Sequence, residues 1–142
     1  MTRPTLQILL LAAALLAPAR AQSTHHPGPL NPHDFALMAW GGSPSDPDQL
    51  LGMEEAGLNI SGFCHPEDLD RVHNAGLTCF VTDKLINGYD WLHLPSDEEL
   101  RANVVELKSK IDSKPAAIGF FLRDEPPVAM MPGLGRVASL LH

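Results

Sequence analysis

The side chains best suited to chemistry in this sequence cluster near its end. Arg123, Asp124 and Glu125 follow the apolar run AAIGFFL and precede Pro126-Pro127. A carboxyl group presented at the end of a buried strand can act as a general acid or base, provided that desolvation or a nearby negative charge keeps it protonated near neutral pH. Asp124 is such a neighbour for Glu125, whereas Arg123 would favour the ionised form if it shared the cavity. Strand alternation puts Arg123 and Glu125 on one side. The plainer reading is that Asp124 and Glu125 cap the next helix.

Other polar and aromatic residues sit at similar positions in the pattern. Trp40 closes the run FALMAW, His65 follows NISGFC, and Asp83 follows TCFVT. Asp83 also opens the long segment DKLINGYDWLHLPSD, which carries Tyr89 and Trp91 around Asp90. Aromatic faces there could stack on sugar rings, or Trp91 could fold back as a lid over its own core. Trp40 likewise reads either as a core residue or as a ligand contact. His65, Asp83 and Glu125 together include the ligand types of a divalent metal site, although no local motif supports one.

The elements that must position these residues alternate in type. Strands are expected over 35–40, 59–64, 78–82 and 117–122, with helices between them. The first helix starts at Ser45 or Asp46 with Pro47, the second at Pro66, and the third at Ser96, where Glu99 completes a capping-box spacing and the pattern continues to about Lys114. Two seams, EAGLNISGF and NAGLTCFVT, share Ala-Gly-Leu, which suits a left-handed glycine cap at Gly57 and Gly76 followed by a leucine that closes the turn. Strands alternating with helices predict a parallel sheet built by right-handed crossovers. WGGSPSDPD after the first strand has neither GxGxxG nor a Walker lysine, so a nucleotide-binding open sheet is disfavoured. The expected fold is α/β, a partial (β/α)8 TIM barrel of about four βα units over residues 35–142. Its reactive groups would gather at the carboxyl ends of the strands.

On these residues the sequence resembles a known group. GFFLRDEP, the FALMAWGG strand and the repeated AGL seams look like the N-terminal half of bacterial glycoside hydrolase-like (β/α)8 barrels related to glycoside hydrolase family 42. In that clan strand four ends in Asn-Glu-Pro and its Glu is the general acid/base, so the resemblance implies that role for Glu125. Asp124 stands where the clan has Asn, and the hydrogen bond of that Asn to a sugar 2-hydroxyl is not carried over. The resemblance further implies a carbohydrate substrate, contacts from Arg123, Asp124, Trp40, His65, Asp83, Tyr89 and Trp91, and no metal or cofactor. The clan's nucleophile comes from strand seven, so the chain is expected to be a fragment that is inactive alone. The alternatives are a metal-dependent sugar isomerase-like barrel and a non-catalytic carbohydrate-binding barrel.

Composition restricts the partners. The 142 residues are 44% hydrophobic and carry a net charge of −7, which repels polyanions and argues against nucleic acid. Residues 1–21 read as a signal peptide: a basic start, an apolar run short for a bilayer, and Ala19-Arg20-Ala21 before the expected cut at Gln22. Removing it deletes Arg3 and Arg20 and leaves a net charge of about −9. Export to the periplasm or medium follows, without membrane attachment after cleavage. Residues 22–34 form a Pro-rich leader whose His25, His26 and His33 lack a scaffold for metal binding. The two cysteines, Cys64 and Cys79, are expected at opposite ends of neighbouring strands and unbridged. Open sheet edges would invite self-association.

Overall fold

The structure, a computed structural model, describes residues 35–142. The signal-peptide reading and the three leader histidines lie outside the described residues.

The local signals produce the expected helix ends. Helix α1 (Pro47–Glu55) starts at Asp46, whose carboxylate accepts from the Asp48 amide at 3.0 Å. Strand β1 (Ile60–Cys64) leads through a 3-10 turn (Pro66–Asp68) into helix α2 (Leu69–Asn74) and strand β2 (Thr78–Val81). Both Ala-Gly-Leu seams close in the same way. Gly57 (φ 89°) donates to Glu54 O while Leu58 donates to Met53 O, and Gly76 (φ 78°) and Leu77 repeat this on His73 O and Val72 O. These paired bonds satisfy the last carbonyls of each helix and turn the chain straight into the next strand.

After β2 comes a one-turn helix α3 (Lys84–Asn87), then helix α4 (Asp97–Ile111), strand β3 (Ala117–Phe120), a second 3-10 turn (Val128–Met130) and helix α5 (Met131–Leu141). Ser96 Oγ accepts from the Glu99 amide at 3.2 Å and so caps α4. Leu100, Val104 and Leu107 then bury one stripe of that helix, spaced as a 3.6-residue period requires.

Among the described residues the sheet has three parallel strands in the order β1-β2-β3, and this overturns the expected partial barrel. A single small α/β sheet stands where four βα units of a closing cylinder were anticipated. The segment 35–40 does not become a strand. Only Met38 and Gly42 bridge to β1, at Ile60 and Phe63. Two glycines explain the interruption. Gly41 sits at φ 143°, and its carbonyl approaches Gly62 so closely that a Cβ there would lie 2.3 Å away. Gly62 itself has φ 112°, and the β1–β2 register shifts between Ile60 and Phe63. A ladder cannot run evenly through such a bulge.

The helices cover one face of this sheet. Leu50 from α1, Leu69 and Val72 from α2, Ile86 from α3, and Val104 and Leu107 from α4 form one buried cluster with Cys64, Cys79 and Val81 of the strands. Each fully buried aliphatic side chain of this kind contributes roughly 1.5–3 kcal/mol. A second cluster of Trp91, Leu100 and Val137 ties α5 to α4 and to the long segment after α3.

Cys64 and Cys79 also depart from expectation, because they form a disulfide with Cα atoms 6.3 Å apart. The strands are so short that opposite ends are close. Cys64 lies beside Val81, two residues from Cys79 and on the same face, within the usual reach of a disulfide. No helix among the described residues is long and apolar enough to cross a membrane.

Candidate functional site

The carboxyl ends of the three strands do present several of the expected residues, but they sort into two kinds. Trp40 is the most accessible aromatic group there, 69% exposed, and it stands edge-on to Phe63 and to Phe121 with ring centroids 5.2 and 6.4 Å away. Phe63 and Phe121 stack on each other at 3.8 Å and 23°, reaching across the middle strand β2 from either side. The ring of Phe80 fits beside Gly119, where a Cβ would come within 2.9 Å of Phe80 Cδ1. This places a supported indole, with much of its surface open, at the rim of the sheet. Such a surface can take an apolar or sugar face by stacking, because its partners hold it without an ordering cost at binding.

Arg123, Asp124 and Glu125 begin two residues beyond Phe121, and all three are exposed. They make no ion pair with a described residue. Neither acid caps the following turn, which starts at Pro127 without a side-chain cap, so the capping expectation is set aside. Glu125 adopts φ 43°, in the left-handed region, immediately before Pro126. A non-glycine residue holds that conformation at a cost on the order of 1 kcal/mol. The Asp-Glu pair therefore projects into solvent from a bent, proline-stiffened exit.

Of the remaining candidates, Asp83, Tyr89 and Trp91 have structural duties. Asp83 accepts from the Leu85 amide at 2.8 Å and is the N-cap of α3, which turns its carboxylate onto the first turn of that helix. Asn87 Nδ2 donates to Thr82 Oγ1 beside it at 2.6 Å. Tyr89 donates its hydroxyl hydrogen to Leu85 O and accepts from Asn103 Nδ2 at 3.0 Å, which ties the loop to α4. Trp91 is 3% exposed and meets the Tyr89 ring edge-on at 5.8 Å. Of the two readings of Trp91, the structure has the lid and not the open stacking face. His65 is exposed at the start of the first 3-10 turn. Among the described residues no group of three or more His, Cys, Asp or Glu could hold a metal ion, so His65, Asp83 and Glu125 are not brought together as ligands.

One polar pair in the loop has a clear electrostatic signature. Asp90 accepts from His93 Nδ1 at 2.9 Å and from the Leu92 amide at 3.0 Å. The His93 hydrogen bond, with the Leu92 amide second, holds the Asp90 carboxyl below its ordinary value.

Phe63 and Phe121 are the site residues that sequence reasoning overlooked. For Phe121 the signal lay in the alternation of GFF, where Phe120 and Phe121 must face opposite sides of the sheet. No protein-family model, no curated protein and no solved structure matches the chain.

Proposed function

We propose that this chain binds carbohydrate at the carboxyl rim of its sheet, as part of an exported glycoside hydrolase in which Glu125 is the general acid/base. The observation that carries the reading is Trp40, left 69% exposed yet braced by two phenylalanines, with Glu125 four residues beyond one of them. An indole supported in this way suits the apolar face of a sugar ring, and a carboxyl group presented from the turn that follows Phe121 suits the glycosidic oxygen. Arg123 and Asp124 offer hydrogen bonds to ring hydroxyls from the same turn.

Hydrolysis needs a second carboxylate and a protonated acid. Glu125 is exposed, so the described residues do not enclose a scissile bond around it. The chain alone is therefore expected to bind without turnover. That same exposure favours the non-catalytic carbohydrate-binding reading as the second choice.

The test is calorimetric titration with neutral oligosaccharides alongside an aryl glycoside assay, for the parent chain, Trp40→Ala and Glu125→Gln. Binding that Trp40→Ala weakens by about tenfold, the upper end of one aromatic contact, with turnover at background, is the expected result. Sugar affinity that ignores Trp40 would end the binding proposal, and turnover that ignores Glu125 would remove its catalytic role.

A further inference from the structure

The Cys64–Cys79 bond plays no part in the sugar-binding reading, yet its position in the fold constrains how the chain matures. It joins the last residue of β1 to the second residue of β2, and the residues between them hold the 3-10 turn and α2. The bond thus closes one strand-helix-strand unit into a covalent ring. Cys64 is 2% and Cys79 0% exposed, and both belong to the cluster formed by Leu50, Leu69, Val72 and Val81.

Thiol–disulfide exchange requires a thiolate to reach one sulfur in line with the bond that breaks. Side chains from α1 and α2 fill the cluster around this pair, which leaves an external thiolate or disulfide no approach while the unit stays folded. We propose that oxidation of Cys64 and Cys79 is a maturation step that precedes docking of α2, and that folding then locks the bond against reductants. The oxidant is an exchangeable disulfide, of a protein or a small thiol. One cysteine thiolate attacks it and expels one of its sulfurs as thiolate, forming a mixed disulfide. The second cysteine thiolate then attacks the cysteine sulfur of that mixed disulfide and expels the other. Two electrons pass to the oxidant, which leaves as two thiols carrying the two protons lost by the cysteines.

The device ties formation of the bond to an oxidising compartment met during folding, and it separates a looser reduced chain from a locked oxidised one. It does not depend on what the rim binds.

The experiment has two arms. Oxidised protein is incubated with dithiothreitol, either folded or in 6 M guanidinium, and thiols are trapped with iodoacetamide and counted by mass. The reduced chain is treated with glutathione disulfide, either unfolded or after refolding, and bond formation is followed in the same way. Both reactions are expected to be slower by at least about a hundredfold in the folded chain, because exchange must await an opening that frees the cluster. Equal rates in folded and unfolded chain would overturn the proposal, as would two free thiols in protein denatured without reductant after oxidation in the unfolded state.

Discussion

Replacing Trp91 separates a structural aromatic residue from a ligand-binding one. The side chain is 3% exposed and packs with Leu100 of α4 and Val137 of α5, with the Tyr89 ring standing edge-on beside it. An indole buries roughly 200–250 Å², which at about 25 cal/mol per Å² amounts to about 5–6 kcal/mol. The unfolded chain already hides part of that surface, so Trp91→Ala should cost about 3–5 kcal/mol. A domain of this size has a total stability of about 5–15 kcal/mol, so the variant should lose a large share of it, while Trp91→Phe should keep most of the packing and lose about 1–2 kcal/mol. Urea unfolding followed by far-ultraviolet circular dichroism gives both values. Fluorescence gives an independent reading, because Trp40 and Trp91 are the only tryptophans. In Trp40→Phe the remaining emission should be blue-shifted and resist acrylamide quenching. A Trp91→Ala variant that unfolds within about 0.5 kcal/mol of the parent, the range of an ordinary surface substitution, would refute the packing argument.

Three further predictions test other parts of the account. Gly62→Ala should destabilise the chain by more than about 2 kcal/mol or abolish soluble expression, because a Cβ at φ 112° would meet the Gly41 carbonyl at 2.3 Å; a soluble variant with an unchanged melting temperature would contradict the bulge. Asp83→Ala should lose about 1 kcal/mol and Asp83→Asn very little, since asparagine caps α3 as well as aspartate does, and equal losses in urea unfolding would point to a role for the charge instead. The folded-state value of Asp90 is depressed by His93, so its contribution to stability is present above the ordinary carboxylate value and lost as pH falls through the depressed one. Melting temperatures of parent and His93→Ala should therefore differ slightly near neutral pH and converge in strong acid, and a difference that grows with acid would reverse the assignment.

The readable parts of the sequence were those whose cause is local. Gly57 and Gly76 end helices because a left-handed residue is needed there, and Ser96 starts one because its hydroxyl reaches the Glu99 amide; each cause lies within a few residues. The sheet was less legible because its extent is decided by long-range fit. FALMAW contains no β-branched residue, and whether it pairs fully with β1 depends on how Gly41 meets Gly62, which periodicity does not reveal. Counting it as a strand inflated the sheet toward a barrel. The cysteine pairing was hidden for a related reason: opposite ends of a strand imply a long distance only when strands are long, and β1 and β2 have 5 and 4 residues. At the rim, the sequence led to Trp40 and Glu125 through strand ends, but Trp40 sits on an irregular segment beside β1 and Glu125 lies five residues past β3, and the stacking of Phe63 on Phe121 that supports the indole was hidden because it spans the middle strand. Asp83, Tyr89 and Trp91 had the right chemistry for a site, yet Asp83 caps α3, while the Tyr89 hydrogen bond and the burial of Trp91 hold the loop against α4 and α5.

The most direct test of the central claim is a two-dimensional NMR titration of the isotope-labelled chain with neutral oligosaccharides. The account predicts saturable shifts of the Trp40 indole N–H, the Phe63 and Phe121 rings and the amides of residues 123–125, with the Trp91 indole unmoved. A spectrum that stays unchanged with every sugar at millimolar concentration, or shifts centred on Trp91 and Tyr89, would contradict it.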